Sequence, residues 1–114
     1  MNRKVIHVRA ARTLWKRARG LILSKAPPAS VALHLSPCWC IHTVFMSFPV
    51  DLVFLDAGNS VLRVVPELRP WRFSGCLGAR SVLEFRAGEV ERLGLRLGDS
   101  LALTNQGDHG RAAA

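Results

Sequence analysis

Cys38, Cys40 and His42 occupy alternate positions in Pro37-Cys-Trp-Cys-Ile-His-Thr43. Side chains of an extended strand alternate between its two sides, so all three would share one face. Two thiols and an imidazole suit Zn²⁺ or Cu(I), with His34 or Cys76 as a fourth ligand. The spacing argues against that site. Same-face strand neighbours stand about 6.5–7 Å apart, and C-x-C-x-H is not the C-x₂₋₄-C turn of structural zinc. The same residues would also serve covalent catalysis, with Cys38 or Cys40 as nucleophile, His42 as base and Asp51 orienting the imidazole. No Gly-rich phosphate loop, nucleophile elbow or paired-carboxylate motif accompanies them. The plain alternative is two buried thiols, since free cysteine is among the most buried residue types.

A second constellation favours binding. His42, Thr43 and Asp51 flank Pro49, while Arg69, Trp71 and Arg72 lie on a stretch rich in Pro and Gly. Folding that stretch over the Pro49 break would put convergent polar groups beside an apolar wall, the composition of a ligand pocket. Arginine beside Trp suits a small anionic, planar or peptide ligand. The pocket reading therefore assigns polar orientation to His42, Thr43 and Asp51, the wall to Trp71 and the anion contact to Arg72. Structural roles compete at four of these five positions. Asp51 would accept backbone N–H bonds, Trp71 would lid the core, Arg72 would pair with Glu84, and His42 would be a core histidine bonded to a carbonyl.

Short strands must position these residues. Lys4–Arg9 reads as an opening strand, and Leu14, Trp15, Ala18, Leu21 and Ile22 as one stripe of a helix ending near Gly20. Ser24–Ser30, with Pro27-Pro28, reads as a loop. Val31, Leu33 and Leu35 alternate with a polar side carrying His34. Val50–Leu55 is apolar on both sides, as in a buried strand, and Ala57-Gly-Asn-Ser60 turns it into Val61–Val65, a β-hairpin. Residues 66–80 hold several breakers and read as a loop with at most a short extended piece. Ser81–Phe85 is a further strand, Ala87–Leu93 a short helix with Glu89 and Glu91 in its first turn, and Ser100–Thr104 the last strand. The expected fold is mainly β with minor α: a β-sandwich or partly open barrel with two short helices. Residues 1–104 form the expected single domain, and 105–114 a flexible tail.

The chain has 114 residues, 49% hydrophobic, and a net charge of +8, enough for one folded core. Eight basic residues, Arg3 to Lys25, precede the first acid at Asp51, so the N-terminal 25 residues hold the whole excess. They would suit nucleic acid or an acidic surface, although a solvated arginine-rich surface explains them as well and nucleic acid is not the expected partner. No apolar run reaches the roughly 20 residues of a membrane-spanning helix. Three cysteines and an N-terminus without a signal-like apolar segment point to reduced thiols in the cytoplasm.

Arg19-Gly-Leu21, Pro37-Cys38, Ile41-His-Thr43, Phe45-Met46, Pro49-Val-Asp-Leu-Val-Phe-Leu-Asp56, Pro70-Trp-Arg72, Val82-Leu-Glu84, Ala87-Gly88 and Gly98-Asp99 follow one another in order. As an ordered set, over about residues 10–104, they resemble the small bacterial and archaeal family known as domain of unknown function 192, in its shorter branch. The resemblance implies a mainly β, sandwich-like domain with a short helix near each end, and brings no reaction with it. The expectation is a small binding or accessory module with no cofactor, rather than an enzyme. The alternatives are a Cys/His- or metal-dependent enzyme and a basic adaptor acting through residues 3–25.

Overall fold

The protein is represented by a computed structural model that describes residues 3–10, 29–43 and 47–105. Alternating apolar residues build the strands β1 (Lys4–Ala10), β2 (Val31–Leu35), β3 (Cys40–His42), β4 (Val50–Leu55), β5 (Val61–Leu68), β6 (Phe73–Gly75), β7 (Ser81–Arg86) and β8 (Leu101–Asn105). Helix α1 (Glu89–Leu93) lies between β7 and β8. The helix expected near residues 11–22 and most of the Ser24–Ser30 loop fall outside the described residues, as does the tail beyond Asn105.

Six strands form one sheet in the order β5-β4-β7-β2-β1-β8, and β3 pairs with β6 in a separate two-stranded sheet. β1 runs parallel to both β2 and β8, while the other pairings are antiparallel. The fold is mainly β, as the alternation predicts, and the large sheet does not close into a barrel.

Both faces of that sheet are covered. On one, Ile6, Val8, Ala32, Val53, Leu55, Leu83 and Phe85 pack with Val90 and Leu95 from α1 and the segment after it. On the other, Leu35, Val50, Leu52, Phe54 and Val82 pack with Cys38 and Ala79, and Ile41 of the small sheet leans on this cluster. All six residues of β4 are buried, which accounts for its two-sided apolar sequence. The same double cover corrects the expectation for His34. Its side of β2 carries Ala32 into the α1-side core, so His34 is half-buried there, and its Nε2 atom is buried without a hydrogen-bond partner. Desolvation holds its imidazole below the usual histidine range.

The hairpin forms as predicted. Asp56 Oδ1 accepts the N–H groups of Gly58 and Ser60, both at 2.9 Å, and Asn59 adopts φ 64°, a turn chemistry Asn and Gly tolerate. Residues 66–80 are more ordered than a loop. β5 continues to Leu68, with Val50 opposite Leu68 and Leu52 opposite Val65, which leaves Pro66 and Glu67 in a bulge. Proline lacks the ladder donor, and a bulge accommodates it.

Candidate functional site

β3 is three residues long, yet it sorts the central motif. Ile41 and Ser74 face each other on the inner side of the small sheet, while Cys40, His42 and Phe73 are exposed on the outer side. The His42 and Phe73 rings stand 6.0 Å apart at 56°. Gly75 lies opposite Cys40, and a Cβ there would come within 3.2 Å of the Cys40 Cβ and 3.3 Å of the Trp39 carbonyl oxygen. Glycine keeps this part of the face open. The result is an open depression of about 410 Å³ lined by Trp39, Cys40, His42, Phe73 and Gly75 among others. One carbonyl on each edge of the small sheet is taken. The Gly75 carbonyl accepts Arg63 Nη1 at 2.6 Å, and the Cys40 carbonyl accepts the Cys38 thiol at 3.1 Å.

Thr43 braces the adjoining loop. Its hydroxyl donates to the Arg69 carbonyl at 2.6 Å and accepts the Arg72 N–H at 2.8 Å. Its backbone N–H donates to the Arg72 carbonyl and its carbonyl accepts the Trp71 N–H, at 2.8 and 2.9 Å. These bonds hold Trp71 at φ 63° with the residue 56% exposed. A buried hydroxyl with both functions satisfied is a structural anchor. Arg72 is exposed on the same loop and does not pair with Glu84.

Asp51 stands apart from this face. It lies on the α1 side of β4, buried, and its carboxylate accepts the N–H groups of Glu67 at 2.8 Å, Gly88 at 2.9 Å and Val90 at 3.0 Å. One side chain thus closes the β5 bulge, where Glu67 has φ 49°, and supplies the acceptor that orphan N–H groups at a helix start require. Of the expected site residues, His42 alone lines the depression, Thr43 is bonded to Trp71 and Arg72 on the adjoining loop, and Asp51 lies on the far side of the sheet.

The metal set is dispersed. Cys38 is buried, Cys40 exposed and Cys76 half-buried, and among the described residues no three His, Cys, Asp or Glu side chains are grouped to hold a metal ion. Burial pushes the Cys38 thiol up, with the Cys40 and Glu84 side chains adding to the shift and the bond to the Cys40 carbonyl opposing it. A thiol raised in this way is a poor nucleophile near neutrality.

The sequence reading missed Trp39, Phe73 and Gly75, and also Glu84 as a buried group. Glu84 sits in β7 with Leu33 and Leu52 as its cross-strand neighbours. Its Oε1 has no hydrogen-bond partner, and desolvation pushes its carboxyl up to about 7. A signal was available: one acid inside an apolar strand, Ser81-Val-Leu-Glu-Phe85.

The profile of the uncharacterised family known as domain of unknown function 192, described as "Uncharacterized ACR", matches residues 1–103. The chain belongs to this family. It is 32% identical over 105 residues to a UPF0127 protein of Thermococcus sibiricus, covering 82% of this chain. The chain spans 64% of that relative's length. Its fold is similar to a crystal structure of a protein of unknown function from Novosphingobium aromaticivorans, with a TM-score of 0.70, 22% identity and coverage of 82% and 71% of the two chains. It is also similar to a Sinorhizobium meliloti protein provisionally described as a transcription regulator, with a TM-score of 0.71, 20% identity and coverage of 82% and 78%. These two likenesses concern the fold alone. Among the described residues of this family member, no helix is long and apolar enough to cross a membrane.

Proposed function

We propose that the protein is a small binding module whose ligand lies on the outer face of the β3–β6 sheet. His42, Trp71 and Arg72 would meet the ligand together with Trp39 and Phe73, while Thr43 holds the loop that presents them. Asp51 would serve the scaffold. One observation carries the reading. Trp39, Trp71 and Phe73 are 52%, 56% and 77% exposed, and residues 36–43 and 69–80 contain arginine but no Asp, Glu or Lys. Aromatic and arginine enrichment with depletion of lysine and acids is the composition of a recognition surface. The ligand class is anionic with planar or apolar groups, either small or peptidic. Three unpaired thiols suit the reducing cytoplasm.

The test is a tryptophan-fluorescence screen of small anionic aromatic compounds and acidic peptides against the wild type, Trp39→Ala and Phe73→Ala. Binding lost in both variants, with unchanged unfolding midpoints, supports the reading. Ligands that bind wild type and variants equally would sink it.

A further inference from the structure

We infer that the occupant of this face is single-stranded nucleic acid, with bases stacked on the exposed aromatic rings and phosphates held by Arg69, Arg72 and Arg80. The inference rests on the proposed binding face and replaces its small or peptidic ligand with a polymer of the same anionic, planar chemistry.

Three observations select this class. The first is openness. Small-molecule sites enclose most of their ligand, whereas Trp39 and Phe73 are 52% and 77% exposed around an open depression. A surface of that shape fits a polymer lying along it. The second is the state of the sheet edges. An extended peptide would ordinarily add a strand to an edge and bond to its free backbone groups. Here the Gly75 carbonyl on the β6 edge is taken by Arg63, and the Cys40 carbonyl on the β3 edge by the Cys38 thiol. An added strand would therefore lack one acceptor on each edge, which favours contact through the side chains of the face. The third is charge. Arg69, Arg72 and Arg80 are exposed, and residues 29–43 and 68–83 contain no carboxylate. Phosphate needs such a field, and every base offers a flat π surface to Trp, Phe or His whatever its sequence. Gly75 completes the arrangement by leaving room beside Cys40 for a ring to settle between Trp39 and the tilted His42–Phe73 pair.

The basic residues 3–25 are a second possible source of affinity, and Trp39→Ala and Phe73→Ala tell the two apart because neither changes that charge. The experiment is fluorescence anisotropy of an end-labelled 15-nucleotide deoxythymidine strand with the full chain. Trp39→Ala and Phe73→Ala are each expected to weaken binding by about 5- to 150-fold, the range for loss of one stacking platform, without moving the unfolding midpoint. Three phosphate contacts give about a 20-fold loss between 50 and 200 mM salt, and Arg72→Ala should make that dependence shallower. The inference is overturned by no anisotropy change at about 100 μM protein, the weak end of non-specific association. Binding that Trp39→Ala and Phe73→Ala leave intact overturns it equally, since the contact then lies elsewhere. Parallel titrations use an aspartate-rich, Trp-containing peptide and a small anionic aromatic compound. If these perturb Trp39 and Phe73 and the oligonucleotide does not, the binding face stands and nucleic acid is the wrong ligand. If no probe perturbs them, both readings fall.

Discussion

Asp51 and Glu84 are carboxylic acids on adjacent strands of one sheet, 1% and 2% exposed, yet the fold treats them oppositely. Asp51 faces α1 and is met by three backbone N–H groups. Glu84 faces the side covered by the small sheet, where its Oε1 meets nothing polar. A buried carboxylate surrounded by donors ties elements together, whereas one without them opposes ionisation and makes stability depend on pH. The α1 side is scaffold. The β3–β6 side combines the aromatic surface with an unsatisfied buried acid.

The largest expected effect is at the satisfied acid. Asp51→Ala strips an acceptor from three N–H groups and is expected to cost about 4 kcal/mol or prevent folding. Asp51→Asn retains one acceptor oxygen and should cost about 2 kcal/mol. Urea unfolding measures both, and an Asp51→Asn protein as stable as wild type would show that the three bonds do not hold the scaffold.

Glu84 should give the next largest effect, with the opposite dependence on charge. Its folded value of about 7 lies above the ordinary 4.5, so the unfolded chain releases a proton that the folded protein retains between these values. Stability is fully present below about pH 4.5, falls by up to about 1.4 kcal/mol per pH unit, and levels off about 3 kcal/mol lower above pH 7. Glu84→Gln should flatten this profile, so that the variant gains on wild type as pH rises from 5 to 8. Parallel pH profiles for the two proteins would show that Glu84 is not the group concerned.

Thr43→Val tests the brace between sheet and loop. Loss of the bonds to Arg69 and Arg72 should cost about 1–2 kcal/mol and shift Trp71 emission, read in a background where the other two tryptophans are Phe. An unchanged spectrum would mean that the loop holds itself. The smallest effect is expected at the thiols. Cys40→Ser at the surface should stay within about 0.5 kcal/mol of wild type, and iodoacetamide should label Cys40 well before Cys38. Equal labelling rates would contradict the burial that separates them.

Local chemistry explains which parts were legible. The 50–65 hairpin was readable because a buried strand, an Asx turn and a returning strand are all written within one short segment. The strand at 81–86 and the helix after it were readable for the same reason. The β5 extension was hidden because Pro66 breaks the local pattern, and only Asp51 on a neighbouring strand stabilises the resulting bulge. His34 appeared to face solvent because alternation reports two sides of a strand and cannot report that both are covered. Of the residues proposed for the site, His42, Thr43, Trp71 and Arg72 were singled out by type and spacing, while Asp51 was grouped with them on sequence proximity to Pro49 alone. Trp39, Phe73 and Gly75 carried no local signal, because an exposed aromatic and a buried one have the same sequence.

By itself, the sequence determined the mainly β class, the hairpin, the position of α1 and membership of the family, since periodicity, turn residues and ordered motifs are properties of contiguous chain. Tertiary structure alone decided which residues share a surface. It separated Cys38 from Cys40 by turning one inward, sent Asp51 and Glu84 to opposite sides of one sheet, and gathered Trp39, His42 and Phe73 around one depression. The physical reason is that burial, and with it both the cost of an unpaired charge and the availability of an aromatic face, depends on what distant strands bring to cover each side.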